Sequence, residues 1–195
     1  MSERIINKIK KIFISLRVIF IKNDLERWKN VSEKSPTAWY ERNRLIAKII
    51  PDKSRVLDIG CGDQNLRSFL KKDCEYQPCD LIANRTGVLF CDFNSNIYPS
   101  VNYQYDYVIL SGVLEYARNP KDAIEQLSRY GEHMIISYSH FDKEKSKLER
   151  LNKGWVNNLT EDNLNELFVR DNLKLIEKYK WNDQIIYLVK KNYGK

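Results

Sequence analysis

The run VLDIGCGDQNL at residues 56–66 constrains this chain more than any other stretch. RVLDI (55–59) is a short apolar run of the kind that forms a strand buried on both faces, and Gly60-x-Gly62 follows before a helical stretch opens at Asn65. Glycines at a strand-to-helix turn admit positive φ and let a ligand approach the backbone at the carboxyl edge of a sheet. The rest of the chain keeps the same rhythm. Strands are predicted at 75–80, 87–91, 105–111 and 133–139, alternating with helices at 65–72, from Pro120 to about Tyr130, at 142–152 and at 160–170. A further helix at 37–50 is bracketed by Pro36 and Pro51. The last helix opens on Thr160 with a Thr-x-x-Asn pattern, which reads as weaker than a true capping box. The closing runs LKLIEKYKW (173–181) and QIIYLVKK (184–191) flank Asn182-Asp183 and read as a hairpin. The predicted fold is α/β: a doubly wound, mostly parallel sheet with a C-terminal antiparallel hairpin, preceded by N-terminal helices.

Three carboxylates stand at successive strand ends. Asp58 precedes Gly60 by two residues, where it can meet a cationic or hydrogen-bond-donating group. Asp80 ends the second strand, 20 residues after Gly60, and suits a bidentate contact with a ribose diol. Asp92 ends the third. A nicotinamide dinucleotide is the competing ligand, but its pyrophosphate calls for a third glycine near position 65, where Asn65 stands, and would face Asp58 poorly.

These motifs resemble the class I S-adenosylmethionine-dependent methyltransferases, over roughly residues 37–191, and a Rossmann-like sheet is what that resemblance implies. In that family LDIGCGD, here with Asp58, Gly60, Cys61 and Gly62, wraps the methionine and ribose part of the cofactor. The acid matching Asp80, beside Leu81, holds the ribose hydroxyls. The acid matching Asp92, between Cys91 and Phe93, reaches the adenine amine. The segment matching SGVLEY, which starts with Ser111 and Gly112 and ends at Tyr116, lines the site. The chain is most similar to small bacterial members of the methyltransferase-11 and methionine-biosynthesis-W-like kind. Two departures stand out: Gln64 occupies the place of a frequent third glycine, which leaves the loop path open, and Tyr116 replaces the common His after LE.

Charge and cysteine use narrow the partners. The net charge is +7, and residues 1–22 carry most of it, with Arg4, Lys8, Lys10, Lys11, Arg17 and Lys22 against Glu3 alone. The remaining body is close to neutral, so no nucleic-acid face is expected. Ile5, Ile9, Ile12, Leu16 and Ile19 fall on one stripe of a helix predicted for residues 3–22. Residues 1–36 are expected to form this basic amphipathic helix and a linker ahead of a domain at 37–195. The helix suits packing on the body, dimerisation through its stripe, or peripheral contact with an anionic membrane face. Cys61, Cys74, Cys79 and Cys91 show no spacing of a metal site, so no metal is predicted and small buried hydrophobes in a reducing cytoplasm are the simpler reading. Their even count leaves disulfides open. The apolar run 12–21 is too short to span a bilayer, and no cleavage site of a signal peptide follows it.

The activity implied is methyl transfer to a small molecule or a glycan, with oxygen favoured over nitrogen as acceptor. A general base is needed only if the acceptor must lose a proton. His140, after the fifth strand, and Glu115, after the fourth, are the catalytic candidates, and Trp155 and Asn157 are candidates for the acceptor wall. The alternative is a non-catalytic module that keeps the fold and acts through a partner or a membrane surface.

Overall fold

Adjacent side chains on the central strands serve opposite cores, which is what a sheet covered on both faces requires. The computed structural model describes residues 37–142 and 147–193, together with positions 5, 6, 9 and 28. It has α1 (Thr37–Ile49), β1 (Arg55–Ile59), β2 (Glu75–Asp80), β3 (Leu89–Phe90), β4 (Tyr105–Ser111), α2 (Pro120–Ser128) and β5 (Gly131–Tyr138). Then come α3 (Lys147–Asn152), α4 (Glu161–Arg170), β6 (Leu173–Trp181) and β7 (Gln184–Lys191). The sheet order is β3-β2-β1-β4-β5-β7-β6, with β7 the antiparallel member between β5 and β6. Leu57, Leu110 and Ile136 face a core with Ile124 and Leu127 of α2 and Leu164 and Phe168 of α4. Their neighbours Val56, Ile109 and Ile135 face Ile46, Ala47 and Ile50 at α1. The expected mostly parallel sheet with its C-terminal hairpin is therefore present.

Local chemistry explains where the elements depart from expectation. The helix predicted at 65–72 is a single 3-10 turn at Asn65–Ser68. Ser68 Oγ donates to the Asn65 carbonyl (2.8 Å), offering that carbonyl a local partner in place of a longer ladder. The third strand shrinks from 87–91 to two residues, because Gly87 takes φ 81° and its carbonyl accepts from Gln77 Nε2 (2.9 Å). Of the helix predicted at 142–152, Lys147–Asn152 is helical and residues 143–146 lie outside the described residues. At α4 the cap is a full reciprocal box: Asn163 N donates to Thr160 Oγ1 (3.2 Å) and Thr160 N to Asn163 Oδ1 (3.3 Å). Asn serves as well as Glu here because only the acceptor oxygen matters.

The helix expected at 3–22 lies outside the described residues except at Ile5, Ile6 and Ile9, which are helical. Among the described residues no helix is long and apolar enough to cross a membrane.

Candidate functional site

Strand order reverses between β1 and β4, and in open α/β sheets that switch leaves a crevice beyond the strands' carboxyl ends. Two adjoining recesses of about 570 and 860 Å³ occupy this edge and share Trp28, Gly60 and Asp80. The first is largely apolar, with Ile59, Leu81, Cys91, Phe93, Val113 and Tyr116 beside Asp92 and Asn94. The second is polar, with Arg42, Asn43, Asp58, Cys61, Gly62, Ser111 and Gly112. Every residue singled out above for the cofactor lines one recess or both.

The glycine turn is built for close approach. Gly60 takes φ 72°, and a Cβ there would lie 2.4 Å from Val113 Cγ2. Gly60 N and Cys61 N both donate to the Cys79 carbonyl (2.8 and 3.0 Å), which ties the turn to β2. Gln64 takes φ 58° and ψ 31°, so the loop keeps a left-handed path at the position of the frequent third glycine despite carrying a side chain. That conformation costs an L residue roughly 1–2 kcal/mol. Arg85 reinforces the loop by donating to the Gly62 carbonyl (2.8 Å) and to Asp63 Oδ1 (2.6 Å).

Asp80 is 4% exposed and aimed by the backbone: Oδ2 accepts from Gly62 N and Oδ1 from Ile82 N, each at 2.9 Å. A carboxylate oxygen has two lone-pair sites, so both oxygens keep acceptor capacity towards the cleft. Burial raises its pKa, and the backbone donors at Ile82 and Gly62 oppose that shift. Asp58 is also buried and accepts from Tyr76 Oη (2.6 Å). Burial pushes its carboxyl up to about 7 against the pull of the Tyr76 hydrogen bond, with Asp80 adding repulsion and Arg42 attraction. Asp92 is partly committed: it caps the turn Phe93–Ser95 by accepting from Asn94 N, Ser95 N and Ser95 Oγ.

Sequence reasoning missed three of the cleft's side chains. Arg42 is 5% exposed, reaches Ser111 and Gln184, and lies 5.8 and 5.7 Å from the ring centroids of Trp39 and Trp181. A signal was present: Arg42, Ile46 and Ile50 recur every four residues, so a cation stands on the apolar stripe of α1. Trp28 stacks on Trp39 (6.4 Å between centroids, 8° between planes) and meets Tyr116 edge-on (5.3 Å, 85°). Nothing local marks Trp28 or Trp39 for that place.

The catalytic candidates are not brought to the cleft. Glu115 is fully buried and lines neither recess; Oε1 accepts from Ser139 N (2.9 Å) and Gln184 Nε2 (3.2 Å), while Oε2 has no hydrogen-bond partner. Burial raises its pKa. The geometric reason is that Glu115 sits in a 3-10 turn, Leu114–Tyr116, whose side facing β5 takes the carboxylate inward. His140 lies 2.8 Å from Tyr187 Oη and lines a separate recess with Phe141, Lys180 and Asn182. Asn157 is buried and bonds the Leu114 and Ala117 carbonyls, and Trp155 stacks under Arg150 and Lys153, so neither walls the cleft. All four cysteines are free, Cys61, Cys79 and Cys91 being buried, and among the described residues no group of His, Cys, Asp and Glu is arranged to hold a metal.

Similar solved structures include the 1,6-didemethyltoxoflavin-N1-methyltransferase of Burkholderia thailandensis, with 1,6-didemethyltoxoflavin and S-adenosylhomocysteine bound. It shows 16% identity and TM-score 0.63, covering 91% of this chain and 87% of that one. The mitomycin 7-O-methyltransferase MmcR is 12% identical with TM-score 0.65, over 92% of this chain and 60% of its own. The O-methyltransferase NcsB1 from neocarzinostatin biosynthesis, bound to S-adenosylhomocysteine and 1,4-dihydroxy-2-naphthoic acid, is 14% identical with TM-score 0.65, over 90% and 63%. At these identities the likeness establishes a methyltransferase fold. In sequence, an alignment that covers 49% of this chain is 29% identical to the bifunctional methionine biosynthesis protein MetXA/MetW of Rhodopirellula baltica. The match spans only 18% of that protein's length. Residues 39–177 match the family model of the methionine biosynthesis protein MetW, and the chain therefore belongs to the MetW family, on a class I methyltransferase fold.

Proposed function

We propose that this chain is an S-adenosylmethionine-dependent methyltransferase acting on a small-molecule or glycan acceptor, with oxygen favoured over nitrogen as the accepting atom. The observation that carries the reading is Asp80: a buried carboxylate, oriented by Gly62 N and Ile82 N, at the junction of an apolar and a polar recess. The donor set fits the cofactor piece by piece. Leu81, Cys91 and Phe93 offer an apolar wall to a flat base, Asp80 an acceptor pair to a diol, and Asp58 and Arg42 opposite charges to an amino-acid end. When bound, S-adenosylmethionine supplies a methyl group on a sulfonium, already activated for in-line displacement.

The chain's own task is then to orient the reactants and exclude water, which suffices for much of the rate when the carbon is activated. Gly60 lets the backbone close on the ligand, and the Trp28, Trp39 and Tyr116 rings border the cleft beside it. The small-molecule acceptor class is supported by the 1,6-didemethyltoxoflavin and the 1,4-dihydroxy-2-naphthoic acid bound in two neighbours, and oxygen by the O-methyltransferase names of MmcR and NcsB1.

One observation favours the alternative, a non-catalytic binding module: neither Glu115 nor His140 reaches the cleft. Calorimetric titration with S-adenosylmethionine and S-adenosylhomocysteine, with Asp80→Ala as control, tests the site. Micromolar binding lost in the variant is expected, followed by transfer of labelled methyl groups to hydroxylated small molecules or sugars. Absence of binding to the folded parent overturns the cofactor reading; binding without transfer to any acceptor in the panel selects the module.

A further inference from the structure

Cofactor binding gives a use to the glycine turn and the strand-end acids, but not to the charge, most of which stands in residues 1–22. That charge is ordered. Ile5, Ile9 and Ile12 recur at spacings of four and three, and Arg4, Lys8 and Lys11 repeat the same spacings one residue earlier. On a helix the two sets form adjacent rows, one apolar and one cationic. Ile5, Ile6 and Ile9 are helical in the structure, and Ile5 and Ile9 are 49% and 40% exposed.

Large apolar side chains exposed beside a row of cations call for a partner with both an apolar phase and negative charge. An anionic bilayer has both. Its acyl boundary takes up the isoleucines, while the long stems of Arg4, Lys8 and Lys11 let their charges reach the headgroups. A second copy of the chain would cover the isoleucines but would set two cationic rows side by side. A nucleic acid would neutralise the charge and leave the isoleucines in water. The apolar run 12–21 is too short to span a bilayer, so the contact lies in the plane of the interface.

We propose that the helix predicted for residues 3–22 docks the protein on an anionic membrane surface, isoleucine row inward. Trp28 borders both recesses of the cleft and follows Ile9 by 19 residues, so the docked helix stays within about 65 Å of the cleft mouth even if the intervening chain is extended. This docking is independent of what the cleft binds.

The test is cosedimentation of the full chain with vesicles of phosphatidylcholine alone and of equal parts phosphatidylcholine and phosphatidylglycerol. The parent is expected to bind the anionic vesicles at least about tenfold more tightly than the neutral ones, and to weaken severalfold as salt is raised from about 0.1 to about 1 M. Lys8→Glu with Lys11→Glu and, separately, Ile5→Asp with Ile9→Asp are each expected to lower that affinity at least about tenfold and to leave the urea midpoint of the protein unchanged. Failure of the parent to prefer anionic vesicles overturns the proposal. Full binding by the Ile5→Asp, Ile9→Asp variant also overturns it, since charge attraction alone would then account for the contact. A lower urea midpoint in that variant, with no vesicle binding by the parent, assigns the isoleucine row to the protein's own body; a parent dimer that the variant splits, again without vesicle binding, assigns it to a second copy. Either result overturns the membrane contact.

Discussion

Asp58 ends a buried strand at 3% exposure, and its carboxyl is pushed from the ordinary 3.8 up to about 7 chiefly by that burial. A carboxyl whose folded pKa lies above its unfolded value favours folding in its protonated form. The stability it contributes is present below about pH 4 and is lost as pH rises through about 7. Asn carries no charge and can still accept the Tyr76 hydroxyl. The stability of Asp58→Asn relative to the parent is therefore expected to rise between about pH 4 and pH 7 and to level off above, read as the difference in urea midpoint of the ligand-free proteins. A difference that stays flat across that range would show that Asp58 ionises in the fold without penalty. The same residue illustrates why a binding site is expensive to build: the burial that equips Asp58 to meet a cation is what disfavours its charge before the cation arrives.

Among the elements, α4 shows how a short motif can be stronger than its spelling. Thr160 and Asn163 exchange backbone-to-side-chain hydrogen bonds, and Glu161 and Asp162 place negative charge in the first turn. Thr160→Ala is expected to cost about 1 kcal/mol, measured by chemical denaturation, because Asn163 N loses its side-chain acceptor at the helix start. A cost near zero would mean that water replaces the cap freely. The glycine turn shows the opposite case, in which spelling and geometry diverge. Gln64 keeps the left-handed φ of 58° without being glycine, because Gln64 N bonds the Cys61 carbonyl (2.8 Å) and Arg67 N bonds the Gln64 carbonyl (3.1 Å). The turn is determined by its hydrogen bonds as much as by its glycines.

For the whole molecule, the cleft joins Trp28 to α1 and to the ends of β1, β2 and β4, so a ligand there links parts of the chain far apart in sequence. A ligand that binds only the folded state at a hundredfold excess over Kd stabilises by about 2.7 kcal/mol. For a chain of this size that is a rise in Tm of roughly 5–10 °C with S-adenosylhomocysteine. Asp80→Ala is expected to abolish the rise. A shift of the same size in that variant would place the ligand elsewhere.

The strands, their order of appearance and the cleft residues between Asp58 and Gly112 were legible in the sequence because they depend on local rules. Apolar runs bounded by turn residues make strands, and parallel strands joined by crossovers bring their carboxyl ends to one edge. Residues as distant as Asp58, Asp80 and Ser111 thus converge without any knowledge of packing. Side-chain direction was not legible. Glu115 follows the correct strand yet turns into the interior, because Ser139 and Gln184 satisfy it there, and His140 follows the correct strand yet turns towards Tyr187. Arg42 and Trp28 enter the site from outside the sheet, and only the packing of α1 and of Trp28 against the strand ends decides their place. Backbone topology is set by patterns that repeat along the chain, whereas the aim of a single polar side chain is set by whichever partners tertiary packing brings within hydrogen-bond reach.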